Sequence, residues 1–258
     1  MIDSLKAVLF DIDGTLLSRG EAIEGAAAAV AHARSLGLQV RFLTNISGRT
    51  PERIAADLGA AGIPVVSAEV QTATTVCVAM LRKRTGVRCH LMVPPDVLPM
   101  FDGIERDDEH PQVVVISDIG ERFDFHTLNR AFLMLRAGAE LIALQKNLFW
   151  FDTDGAKLDC GAFVLGLEAA ARTQATVTGK PSRVFFDSAL ESVGCAAGQV
   201  LMVGDDISTD VAGAMQAGLR TALVGTGKYA DGQTSHPDCQ PDHFIASVKE
   251  LPALLAKL

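Results

Sequence analysis

The stretch Ala7-Val8-Leu9-Phe10-Asp11-Ile12-Asp13-Gly14-Thr15 decides how the rest of the chain is read. Four apolar residues in succession, ending in acids, read as a buried strand that stops at its polar end. Gly14 lets the chain turn away sharply, because glycine enters backbone conformations closed to other residues. Asp11 and Asp13 are therefore expected at a strand's carboxyl end, where open α/β sheets bind their ligands. Carboxylates one residue apart repel and raise each other's pKa unless a cation is present. The pair predicts either Mg²⁺ or a shared proton, and a hard cation with oxygen ligands is the first expectation.

The 258 residues suffice for one large domain or two of ordinary size, since domains commonly run about 100 to 200 residues. An apolar fraction of 48% with 21% charged residues is that of a globular protein with a substantial core. The net charge of −8, with no block of Lys and Arg, argues against a nucleic-acid partner. An anionic small substrate would have to be held by local positive groups and a metal, because the overall field repels it. The 5 cysteines are odd in number and widely spaced, as expected of free thiols in a reducing compartment. The chain runs straight into a strand without a basic region and apolar signal core, and no apolar run approaches about 18 residues. A cytoplasmic protein without membrane association is the expectation.

Strand-like and helix-like stretches alternate along the chain, which predicts a parallel sheet with helical crossovers. An alanine-rich helix is expected over residues 22–36, stopped by Gly37, and a strand over 38–43. The polar loop 44–50 leads to Pro51, at the first position of a helix to about residue 60. Strands at 90–93, 113–117 and 140–144, with helices at 125–136 and 162–172, make a second α/β block. Residues 102–111 lack periodicity and read as an exposed connection. Beyond a break at residues 178–182 come a helix ending at Val193, a strand at 200–203, the polar run Gly204-Asp205-Asp206-Ile207-Ser208-Thr209-Asp210, and a strand at 220–224. The simplest assembly is a core of residues 1–75 and 177–258, with 76–176 inserted as a second domain.

Four strand ends or loops carry polar groups: Asp11 and Asp13, Thr44 and Asn45, Lys180, and Asp205 with Asp206 and Asp210. In a parallel sheet the carboxyl ends share one edge, so groups far apart in sequence can converge there. Their types suit phosphoryl transfer, which needs a nucleophile, a proton donor and positive charge around the transferring oxygens. Each motif alone has an ordinary reading: an Asx turn, a turn threonine, a solvated lysine, a helix start favoured by negative charge. Gly225-Thr226-Gly227 reads as a plain turn, because it lacks the third glycine of a dinucleotide loop. The 6 histidines show no metal-ligand spacing. Trp150 is weighed as a core residue or, at lower weight, a substrate contact.

Asp-x-Asp-Gly-Thr, the strand-end Thr-Asn, Gly-Lys-Pro and Gly-Asp-Asp-x-x-x-Asp, in this order, resemble the four motifs of the haloacid dehalogenase (HAD) superfamily. An insertion between the second and third motifs resembles the type IIA, C2-capped branch. Within that branch the chain is most similar to the subgroup of phospholysine phosphohistidine inorganic pyrophosphate phosphatases and related hydrolase-domain proteins. The resemblance implies a Rossmann-like parallel-sheet core with an inserted α/β C2-type cap domain. It also implies Mg²⁺-dependent hydrolysis of pyrophosphate, a phosphoramidate or a small phosphomonoester. By the same resemblance Asp11 is the nucleophile that forms an aspartyl phosphate, and Asp13 is the general acid and base. Mg²⁺ would be held by Asp11, the Asp13 carbonyl and Asp205. Thr44, Asn45 and Lys180 would bind the phosphoryl group. Asp210 would hold a metal-bound water or the lysine, and Asp206 stands at a position that varies within the branch. A phosphomutase and a catalytically silent phosphate-binding protein are the alternatives, and the cap surface is a candidate homodimer contact.

Overall fold

In the computed structural model of the protein, residues 4–152, 155–230, 232 and 239–258 are described. The chain divides into two compact units, Met1–Thr44 with Pro51–Gln71 and Lys180–Leu258, and Asn45–Thr50 with Thr72–Gly179.

The first unit is built on a six-stranded sheet whose centre holds Ala7–Asp11. All five residues of that strand are buried, as are the five of its neighbour Val200–Gly204. Unbroken apolar strands of this kind belong inside parallel sheets covered on both faces. From the centre the sheet continues through Gln39–Thr44 to Val70–Thr72 on one side, and through Val200–Gly204 and Arg220–Val224 to His243–Ile245 on the other. The pairings of Ala7–Asp11 with both neighbours, and those out to His243–Ile245, are parallel. Chain order thus reverses between Ala7–Asp11 and Val200–Gly204, and a crevice opens at the carboxyl ends of strands flanking such a reversal.

The second unit has a parallel five-stranded sheet in the order Thr176–Val177, Glu140–Ala143, Val113–Ile116, Arg88–Met92, Glu105–Arg106. Successive side chains leave a strand on opposite faces, and here both faces are apolar. Leu91, Val113, Val115 and Ile142 pack with the helix Ala73–Arg82 on one side, while Met92, Val114, Ile116 and Leu141 pack with Phe125–Arg136 and Cys160–Ala171 on the other.

Several elements depart from the sequence expectation. The first helix is Ala26–Ser35, behind Gly25 at its N-cap, and Glu21–Ala22 instead pair with Leu17–Ser18 in a two-residue hairpin. Glu105–Arg106 form a short strand inside the expected connection; both residues are exposed, so they show no alternation. Asp107 then closes the turn by accepting the N–H groups of Glu109 and His110 at 2.9 and 2.8 Å. Short edge strands at Val70–Thr72, Thr176–Val177 and His243–Ile245 give too few residues for a periodic signal. Phe149–Asp152 and Gly155–Leu158 form an antiparallel hairpin, and the side chain of Trp150 lies outside the described residues. Among the described residues all five cysteines are free thiols, and no helix is long and apolar enough to cross a membrane.

Two helix glycines separate propensity from packing. A Cβ on Gly59, within Pro51–Ala60, would meet nothing within 4 Å. One on Gly213, within Ala212–Gln216, would lie 2.5 Å from the Phe186 ring and 2.8 Å from the Pro181 backbone. Alanine is worth about 0.5–1 kcal/mol over glycine in an open helix, whereas overpacking costs roughly 1–3 kcal/mol. Gly59→Ala is expected to raise the urea midpoint and Gly213→Ala to lower it.

Candidate active site

The strands deliver their acids to one edge by register. Phe10 pairs with Val203, so Asp11 and, two residues past Val203, Asp205 emerge side by side from adjacent strands. On the other flank Asp11 pairs with Leu43, which brings the buried Thr44 to the same edge. Lys180 lies just ahead of the helix Arg183–Val193, which Ser182 caps by accepting the N–H of Phe185.

Lys180 ties this edge together. Its ammonium donates to Asp11 Oδ1 at 2.5 Å and to Asp210 Oδ1 at 2.6 Å, with all three side chains buried. Burial by itself would discharge the lysine, but the two carboxylates outweigh it and hold Lys180 firmly protonated. The other oxygen of Asp11, Oδ2, is buried without a hydrogen-bond partner among the described residues. Carboxylate oxygens of Asp11, Asp205 and Asp210 lie within 4.8 Å of one another. Burial, then the charges of Asp11 and Asp210, push Asp205 up to about 9. Burial also raises Asp210; Lys180 pulls it back and Asp11 and Asp206 repel it, with a net upward shift.

Asp206 has a different environment. One oxygen, Oδ1, accepts the N–H groups of Ser208 and Thr209 at 2.8 and 3.1 Å, starting the single π-type turn Ile207–Val211 that carries Asp210. Its Oδ2 accepts from Lys228 Nζ at 2.6 Å. Burial opposes its charge, but Lys228 and those N–H groups prevail and hold Asp206 below the usual carboxylate range. The Asp206 N–H in turn donates to Asp210 Oδ2 at 3.2 Å.

The turn after the strand Arg220–Val224 closes over the site. Thr226 Oγ1 donates to the Gly14 carbonyl at 2.6 Å, and the Lys228 N–H donates to Asp205 Oδ2 at 2.7 Å. Gly14 and Gly227, at φ of 91° and 56°, face the Asp205 carboxylate so closely that a Cβ on either would overlap it. Both positions need glycine twice over, for backbone conformation and for space.

The structure therefore brings together Asp11, Lys180, Asp205, Asp206 and Asp210. Asp13 stands exposed on the turn beyond Asp11, where it bridges to Leu17, and Asn45 falls in the 45–50 segment of the second unit. Sequence reading misses Lys228 and gives Gly225-Thr226-Gly227 only the role of a turn. That tripeptide follows the carboxyl end of a core strand, the same positional signal that marks Asp11 and Asp205.

A family model described as haloacid dehalogenase-like hydrolase matches residues 8–104, and a HAD-hydrolase-like model matches residues 177–251. The chain is 40% identical over 250 residues to phospholysine phosphohistidine inorganic pyrophosphate phosphatase of Xenopus laevis, covering 94% of this chain and 92% of that protein. It is 38% identical to the protein of the same name from Mus musculus, covering 99% and 96%. Among solved structures it resembles NagD from E. coli K-12, with a TM-score of 0.87 at 25% identity over 96% of this chain and 98% of that one. It also resembles 4-nitrophenylphosphatase from Thermotoga maritima, with a TM-score of 0.88 at 25% identity over 96% and 97%. By sequence along nearly its whole length, and by fold, the chain belongs to the haloacid dehalogenase-like hydrolases, in their phosphatase branch.

Proposed function

We propose that the protein is a Mg²⁺-dependent phosphatase of small phosphorylated compounds, acting through an aspartyl phosphate on Asp11. The observation that carries this reading is the division of labour on the Asp11 carboxylate. One oxygen is fixed by Lys180, while the other is buried with no hydrogen-bond partner among the described residues, on a carboxylate clustered with those of Asp205 and Asp210. An orphaned anionic oxygen is costly to bury, and a hard cation with oxygen ligands would satisfy it. Asp11 and Asp205, with the Asp13 carbonyl that the family pattern adds, would hold Mg²⁺. When bound, the ion neutralises charge on the phosphoryl oxygens.

The chain's own residues supply the rest. Lys180 restricts the rotation of Asp11 through its contact with Oδ1, so that a carboxylate oxygen meets phosphorus in a fixed direction. Attack forms the acyl phosphate and expels the leaving group, whose oxygen or nitrogen takes a proton from Asp13. Asp13 then accepts a proton from the water that cleaves the acyl phosphate. Thr44 and Asn45 bind the phosphoryl oxygens, and Asp210 holds the far side of Lys180. Pyrophosphate and phosphoramidates are the first substrates to test, given the names of the relatives at 38–40% identity; small phosphomonoesters follow, given the nitrophenylphosphatase fold neighbours.

Phosphate release from pyrophosphate, phosphohistidine and 4-nitrophenyl phosphate is expected to require Mg²⁺. Asp11→Asn should remove about a thousandfold or more of that rate, and Asp13→Asn about 10²–10⁴-fold. Retention of full activity by Asp11→Asn would exclude the nucleophile assignment.

A second expectation concerns pH. Asp205 and Asp210 are raised in the folded state, so between their unfolded and folded pKa values the fold binds more protons than the unfolded chain. Stability then decreases as pH rises. Without divalent ions, thermal stability should decline from about pH 4 as pH rises through the folded values, up to about 9 for Asp205. Saturating Mg²⁺ should displace those protons and flatten the decline, and calorimetry in buffers of different ionisation enthalpy should register proton release on binding.

A further inference from the structure

Five charged groups of the cluster are buried: Asp11, Asp205, Asp206 and Asp210 against Lys180. A second cation, Lys228, reaches it from the turn after Arg220–Val224, with its side chain 45% exposed and its ammonium on Asp206 Oδ2. We propose that Lys228 is a positioning residue: its ammonium keeps Asp206 out of the cation site and sets the balance there between divalent cation and anionic substrate. The inference rests on the phosphatase reading and adds to it a residue that the motif pattern does not contain.

Three observations support it. Asp206 and Asp205 are consecutive on the same strand end, yet only Asp205 shares the 4.8 Å cluster of Asp11, Asp205 and Asp210. Both Asp206 oxygens are engaged, Oδ1 by two backbone N–H groups and Oδ2 by Lys228. Lys228 also grips Asp205, through its backbone N–H, so one residue holds neighbouring acids by different means. Replacing the side chain leaves the backbone contact to Asp205 in place and removes the ammonium that pairs with Asp206.

The sign of the effect follows from electrostatics. Lys228 and a divalent ion are like charges near the same acids, so the ammonium weakens cation binding; it attracts a phosphorylated substrate, so it strengthens substrate binding. Structural damage would weaken both, whereas loss of charge moves them in opposite directions.

Calorimetric titration of the full chain with MgCl₂ alone, without substrate, supplies a readout independent of turnover. Lys228→Met is expected to bind Mg²⁺ roughly 3- to 10-fold more tightly, to raise KM for pyrophosphate or 4-nitrophenyl phosphate about tenfold, and to hold kcat within about threefold. Lys228→Arg should restore both values, and Asp206→Asn combined with Lys228→Met should return Mg²⁺ affinity toward that of the native protein. Should the methionine variant fail to fold, Lys228→Gln makes the same charge change. Unchanged Mg²⁺ affinity, or Mg²⁺ and substrate affinities that fall together, would overturn the role of Lys228. A native protein that binds no Mg²⁺ would instead overturn the phosphatase reading beneath it.

Discussion

The buried ammonium of Lys180 between Asp11 and Asp210 is the interaction on which the site depends. Breaking a buried ion pair by removing one partner leaves a charge that the interior cannot solvate, and here a single cation serves two acids. Each member arrives from a different part of the chain: Asp11 from the first strand, Lys180 from the approach to Arg183–Val193, and Asp210 from the π-type turn after Val200–Gly204. The sheet is what makes the meeting possible. Because chain order reverses beside Ala7–Asp11, the two central strands present their acids next to one another, with no strand between them.

Negative charge is thereby concentrated at an edge of a protein that is acidic overall. That arrangement suits an anionic ligand only if cations dominate locally, and the structure supplies them in layers. Lys180 is buried at the centre, and Lys228 stands half-exposed at the rim.

The central strand and its acids are legible in the sequence because an apolar run ending in Asp-x-Asp-Gly combines three independent signals in nine residues. Asp205 and Asp210 are legible for the same reason, following an apolar run and Gly204. Lys180 carries no signal of its own; only its place in the order of motifs singles it out. Lys228 is hidden because its neighbours Gly225-Thr226-Gly227 look like any turn, and the contacts that distinguish them, to the Gly14 carbonyl and to Asp205, span more than twenty residues. The Ala26–Ser35 helix is overextended in the sequence reading because alanine favours helix on both sides of Gly25, whereas pairing of Leu17–Ser18 with Glu21–Ala22 removes the first residues. Two- and three-residue edge strands are lost because a period cannot be read from so few positions.

The placement of the earliest strand at the middle of its sheet has a consequence for biosynthesis. Ala7 leaves the ribosome long before its partner Val200 exists. At translation speeds of about 5–20 residues per second the nascent strand waits roughly 10–40 seconds for one flank. During that interval the segment 72–179 can finish its own five-stranded sheet, so the newer part of the polypeptide matures first while Ala7–Phe10 stays an open apolar edge. A chaperone able to shield the short hydrophobic stretch Ala7–Phe10 would therefore matter more to the yield of this protein than to its final stability.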